Sequence, residues 1–196
     1  MKTLNTNPFK MTLPVILIAL FFTSACANAK KEQSSKPVKI EKTVKKPKDD
    51  IQTSVIKGDL EAVKQHIKAG TDINQKEPMS GATPLISAAT FNKPEIAKAL
   101  IAAGADLSVK NNDGSTALHT AAFFGRIKIV QMLIDAKADK TVKNNYGATP
   151  RQTVLGKFAD MKPTYEMLIQ QLTPMGFTLD LKELEKSRTI VAMMLQ

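Results

Sequence analysis

One cysteine, two histidines and no tryptophan stand among 196 residues, of which only 5% are aromatic. A structural zinc site ordinarily takes four Cys or His ligands, more than this chain supplies by itself. A lone cysteine excludes an internal disulfide framework. There is no G-x-S-x-G elbow, no Walker-type phosphate loop and no His, Cys or carboxylate cluster at metal-ligand spacing. Asp113, Asp135, Asp139 and Asp160 are scattered over turns and helix ends, where solvated carboxylates are ordinary. The chain is therefore expected to be no enzyme, with no cofactor, no metal and no catalytic residue.

Basic and apolar side chains are present in quantity: 28 Lys+Arg face 18 Asp+Glu for a net charge of +10, and 43% of residues are hydrophobic. The charge is uneven. Residues 1–50 carry ten Lys and four acids, whereas residues 51–196 carry 18 basic and 14 acidic side chains. A nucleic-acid-binding domain concentrates positive charge on the domain itself, because phosphate neutralisation drives binding. No nucleic-acid partner is expected.

Residues 1–29 describe an export leader. Lys2 and Lys10 precede the apolar run Met11–Phe22, and small residues follow. Twelve apolar residues are too few for a transmembrane helix of about 20; a charged start, short apolar core and small-residue exit describe a bacterial secretory signal peptide. Ala25-Cys26-Ala27 and Ala27-Asn28-Ala29 both offer the A-x-A cleavage pattern. Ser24-Ala25-Cys26 also resembles the lipobox of bacterial lipoproteins, in which the Cys is lipidated, although Thr23 stands where that pattern prefers Leu. Both routes lead out of the cytoplasm, to the periplasm or to a membrane attachment through a lipid on Cys26. Residues 30–50 are rich in Lys, Pro and Ser without an aromatic, a composition that buries too little apolar surface to fold. They read as a linker, or as a basic segment (Lys36, Lys39, Lys42, Lys45, Lys46) attracted to anionic lipid or cell-wall polymer.

From residue 51 the sequence repeats. Gly81, Gly114 and Gly147 are 33 residues apart, as are Thr83, Thr116 and Thr149; Gly70 and Gly104 are 34 apart, which places a one-residue insertion in the loop of residues 76–80. Thr83-Pro84-Leu85, Thr116-Ala117-Leu118-His119 with Ala121-Ala122, and Gly104-Ala105-Asp106 resemble the T-P-L-H-x-A-A and G-A-D motifs of the ankyrin repeat. Thr83, Thr116 and Thr149 then cap a first helix, Pro84 and Pro150 start it in two of the repeats, and it stacks against a second helix carrying Ile96, Leu100, Ile101 or Ile129, Leu133, Ile134. Gly104 ends the second helix, and Lys137 at the matching place predicts a strained turn. The fold expected is an all-α repeat solenoid over residues 51–172. It has about four ankyrin repeats, each a helix-turn-helix plus a hairpin-like loop. A capping helix over residues 173–196 closes it, or serves as an amphipathic partner-binding helix. His66 is expected at the surface, and His119 as the structural hydrogen-bonding His of the motif.

The resemblance implies a protein-binding concave face built of loop tips and first-helix positions. Carried over residue by residue, these are Lys76, Met79, Ser80, Ala82, Thr90 and Phe91 in the second unit. The third gives Lys110, Asn112, Asp113, Ser115, Phe123 and Phe124, and the fourth Lys143, Asn145, Tyr146, Ala148 and Lys157. Four aromatics (Phe91, Phe123, Phe124, Tyr146) on that face read as interface anchors, with the Lys row favouring an acidic partner. The alternative is that Phe91 and Phe123 are partly buried between repeats. The functional expectation is a monomeric, non-catalytic module of the bacterial envelope that binds a protein, such as an envelope enzyme it inhibits, protects or confers immunity against. A lipid-anchored tether working through the basic linker is the alternative.

Overall fold

The computed structural model describes residues 47–196. The leader, Cys26 and the basic segment up to residue 46 lie outside the described residues. Eight α-helices follow in order: α1 Ile51–Lys57, α2 Leu60–Lys68, α3 Pro84–Thr90, α4 Pro94–Ala102, α5 Ala117–Phe123, α6 Ile127–Asp135, α7 Phe158–Leu172 and α8 Leu181–Met194. There is no strand among the described residues.

Local chemistry writes the helix starts. Asp50, Asp59 and Asp180 accept from the amides of Thr53, Ala62 and Lys182 and so cap α1, α2 and α8. Thr83 caps α3 ahead of Pro84, and Pro94 opens α4, each proline sitting where a helix needs no N–H. The helices then pair α1–α2, α3–α4 and α5–α6, and the pairs stack. First helices α1, α3 and α5 form one row and second helices α2, α4 and α6 another. Ala88, Ala89, Ala121 and Ala122 are fully buried, small enough to let helix backbones approach. Leu85, Leu118, Ile96, Ile129, Leu100 and Leu133 fill the space between pairs. The result is an all-α repeat solenoid with one continuous core, as stacked units that cannot bury their own faces require.

The fourth unit departs from the other three. Arg151 occupies the place of the buried Leu85 and Leu118. Its guanidinium cannot enter an apolar core; Nε instead donates to the Ala192 carbonyl at 3.2 Å. The first helix shrinks to the 3-10 turn Gln152–Val154, with Val154 buried beneath α5. The second helix of this unit is not α7, the segment that follows in sequence. It is α8, which packs on α6 and on the 3-10 turn as α6 packs on α4 and α5. Val191 of α8 and Leu195 at its C-cap join the repeat core, and no residue of α7 does. Helix α8 therefore completes the last unit, and residues 155–180 are inserted between its two helices.

His66 corrects the expectation of a surface residue: it is 1% exposed. Counted back by 34 residues from Leu100, it occupies the core position of α2. Thr71 Oγ1 lies 3.1 Å from its Nδ1, and its Nε2 lies 2.8 Å from the Asp49 carbonyl. A polar group is tolerated there because the chain leading into the first unit covers it and supplies a partner.

Lys137 adopts the left-handed conformation, φ +64°, at the end of α6. A side chain with a Cβ pays a steric penalty there that glycine does not. Lys137→Gly should raise stability by up to about 1 kcal/mol, read as a rise of a few degrees in the thermal midpoint. A lowered midpoint would show that the lysine side chain outweighs the backbone strain.

Candidate partner-binding surface

Three loop fingers project between the helix pairs, each closed by one side chain. Asn111 Oδ1 accepts from the amides of Asp113 and Ser115 at 3.1 and 2.8 Å, and Asn144 Oδ1 from those of Tyr146 and Ala148 at 3.0 Å each. The first finger is one residue longer: Glu77 N–H donates to the Ala82 carbonyl, against Asn111 to Ser115 and Asn144 to Ala148. Here a glutamate replaces asparagine, and its extra methylene spans the extra residue. Its carboxylate accepts from Met79 N at 2.8 Å and Ser80 N at 2.5 Å, and from the Ser80 hydroxyl. Partial burial opposes ionisation of Glu77, but these donors outweigh it and hold the carboxyl below its ordinary range.

Asn112 and Asn145 join the fingers into a ladder. Asn112 donates its amide to the Ser80 carbonyl and its Nδ2 to the Met79 carbonyl; Asn145 does the same to Asp113 and Asn112, with both side-chain bonds at 2.9 Å. Gly81 and Gly114 face these amides at φ +70° and +72°. A Cβ on either would lie 2.4 or 2.3 Å from the asparagine oxygen. The glycine repeat is thus set by the asparagine repeat.

At the fingers, then, Asn112 and Asn145 are structural. Ser115 is half-buried, Ala82 is buried, and Ser80 is tied to Glu77. Free for contact are Lys76, Lys143, Asp113, Met79 and Tyr146, the last two 91% and 78% exposed. Lys110 is exposed too, with its Nζ on the Lys143 carbonyl at 3.0 Å. Tyr146 OH lies 3.4 Å from the Asp113 carboxylate.

On the helix side the expected open aromatic face is corrected. Phe91 and Phe124 are buried, and Phe123 and Thr90 are half-buried. Phe177, fully buried, meets Phe91 edge-on at 6.1 Å and Phe124 at 5.2 Å between ring centroids. Tyr165 of α7 lies 4.7 Å from the Phe123 ring and donates its hydroxyl to the Phe123 carbonyl at 3.0 Å. Two arginines that have no carboxylate partner among the described residues pin this cover. Arg126 Nη2 donates to the carbonyls of Thr90 and Thr178 at 3.2 and 3.0 Å, and its guanidinium lies over Phe124 and Phe177. Burial lowers its pKa to about 10, which leaves it charged at neutral pH. Arg188 is buried in α8 and donates to Tyr165 OH at 3.0 Å and to the Gly156 carbonyl at 2.7 Å. Sequence reasoning missed Tyr165, Phe177, Arg126 and Arg188, because nothing in local spacing says that residues 155–180 fold back over Phe91 and Phe124.

Residues 51–144 match the family model for ankyrin repeats, in three copies. Those residues are ankyrin repeats. Relatives include protein phosphatase 1 regulatory subunit 27 of Homo sapiens and of Mus musculus. Each is 44% identical over 61 residues, covering 31% of this chain and 39% of the relative. The chain therefore spans about two-fifths of the length of the curated relatives it matches. The crystal structure of the ankyrin repeat domain of Bcl-3, a unique member of the IkappaB protein family, is similar with a TM-score of 0.51 and 30% identity. That match covers 53% of this chain and 45% of the Bcl-3 chain. Ankyrin repeats are a protein–protein interaction module.

His119, the motif histidine, is a strut between ankyrin units. Thr116 N–H donates to its Nδ1 at 3.2 Å, which leaves Nε2–H to donate to the Ala148 carbonyl of the next finger at 3.0 Å. Gln52 reaches the Ala82 carbonyl in the same way at 2.8 Å, and Gln152 accepts from Thr149 N at 2.8 Å. Burial, foremost, lowers the His119 pKa below its ordinary value of 6.5, against the opposing pull of the Ala148 carbonyl. The unfolded chain therefore binds a proton first as pH falls, and stability present above about pH 6.5 is lost below it. His119→Gln should keep the strut and flatten this loss: between pH 7.5 and 5 its urea midpoint should fall less than the parent's. Equal falls would show that His119 does not carry the acid sensitivity.

Proposed function

We propose that this protein is an exported, non-catalytic module that holds one protein partner along its finger row. The carrying observation is the pair Met79 and Tyr146. Two large apolar side chains stand almost fully in solvent at the tips of the first and third fingers, on turns stiffened by Glu77 and Asn144. Exposed aromatic side chains serve as anchors because they bury large area for few rotors, and an exposed methionine adapts its flexible, polarizable chain to a partner surface. Lys76, Lys110 and Lys143 lie exposed on the same loops and favour an acidic-surfaced partner. The leader pattern of residues 1–29 supports a partner in the bacterial envelope, where an enzyme inhibited, protected or neutralised by the bound module fits a non-catalytic role. A likeness to a phosphatase regulatory subunit supports a protein partner and carries no phosphatase with it. The tether alternative rests on Cys26 and the basic segment up to residue 46, outside the described residues.

The double variant Met79→Ala, Tyr146→Ala removes both anchors and leaves every finger hydrogen bond between backbone groups in place. In capture from envelope extract, an envelope protein retained by the parent should be lost about tenfold or more by this variant, with an unchanged thermal midpoint. Equal retention by both proteins would place the contact elsewhere and end the finger-row reading.

A further inference from the structure

The described residues hold two apolar clusters. The repeat core runs from Ile51 to Leu195 through α1–α6, Val154 and α8, and contains no residue from 155 to 183. The second gathers Phe91, Phe124 and Phe177, with Ile56, Phe123, Leu168, Ile169, Leu172 and Leu179 packed around them. Ile56 comes from the first unit, Phe91 from the second, Phe123 and Phe124 from the third, and the remainder from the insert. The first three units thus present one apolar row at the ends of their first helices, and the insert lies on it.

Several features mark the insert as an occupant of that row. It interrupts the fourth unit where the others use a turn of two or three residues, Phe91-Asn92-Lys93 or Phe124-Gly125-Arg126. Of the fifteen residues of α7, only Tyr165 is buried. Tyr165, Leu168, Ile169 and Leu172 follow the i, i+3, i+4, i+7 spacing with which an amphipathic helix enters an apolar groove. Pro163 stands inside α7 and removes one of its backbone bonds. Apart from α8, the cover is fastened by few polar links: Tyr165 to the Phe123 carbonyl and Arg126 to the Thr178 carbonyl.

We propose that the apolar row Ile56–Phe91–Phe123–Phe124 is a helix-binding groove filled in cis by the insert, residues 155–180, which detaches from it without unfolding the repeats. A partner helix that takes the insert's place carries the same pattern, an aromatic followed by aliphatic residues three, four and seven positions on. The insert then acts as a competitive cover that keeps the groove shut to weaker ligands. The finger row is a separate surface, and loss of either reading leaves the other standing.

Hydrogen exchange on the parent protein tests detachment directly. Amides of α7 should exchange at least tenfold faster than those of α3 and α5; one common rate for all three would make the insert part of a single cooperative core and overturn the proposal. A variant carrying Leu168→Asp, Ile169→Asp and Leu172→Asp tests the groove. It should keep parental protection in α1–α6 and bind a fluorescent synthetic peptide of residues 157–180 saturably, with the parent binding at least ten times more weakly. The same peptide carrying Tyr165→Ala should bind poorly. Loss of protection throughout α1–α6, or a folded variant that ignores the peptide, would contradict the proposal.

Discussion

No helix pair in this array buries its own apolar face, so each depends on the next pair arriving at the same place one repeat later. That register is the constraint from which the other features follow. Leu100 and Leu133 share one core, their helices start 33 residues apart, and Asn112 and Asn145 tie each finger to the one before it. Where the register gains a residue, in the first finger, a glutamate does the work of an asparagine and the helices on either side stay aligned. Each added pair contributes interface to its neighbours, and the array is finished only when something covers α6.

Helix α8 provides that cover. The chain reaches it late, after the first helix of the fourth unit has shrunk to a 3-10 turn and 26 residues have been spent elsewhere (155–180). Those residues lie over Phe91 and Phe124, positions where the ankyrin resemblance places a partner. One molecule therefore offers two kinds of surface: stiff, solvated fingers ready for contact, and an aromatic row already covered by its own chain.

Much of this was legible in the sequence, and the exceptions have physical reasons. The 33-residue step, the Thr caps, the paired alanines, the inserted residue in the first finger and the strained Lys137 are local signals, and each appears in the structure where its spacing places it. His66 was misread because its polarity suggested a surface, although its register with Leu100 marked a core position. The aromatic row was misread because burial of Phe91 and Phe124 depends on Phe177, which is distant along the chain. Helices α7 and α8 both show helical spacing, and nothing local tells which of them stacks on α6. Arg151 was the available hint: a charged residue at a core position says that the fourth unit does not continue as its predecessors do.

Helix α8 belongs to the repeat core and α7 does not. Urea unfolding of two equivalent truncations tests it most directly, Leu195→Ala in the core and Leu168→Ala in the insert. Removing a buried leucine side chain from a shared core costs about 2–5 kcal/mol, and Leu195 is 4% exposed within that core. Leu195→Ala should lower the stability of the whole array by that order, and Leu168→Ala, half-buried in the separate cluster, should leave the main transition within about 1 kcal/mol of the parent. The reverse order, with Leu168→Ala the costlier change, would make α7 the second helix of the fourth unit and contradict the account.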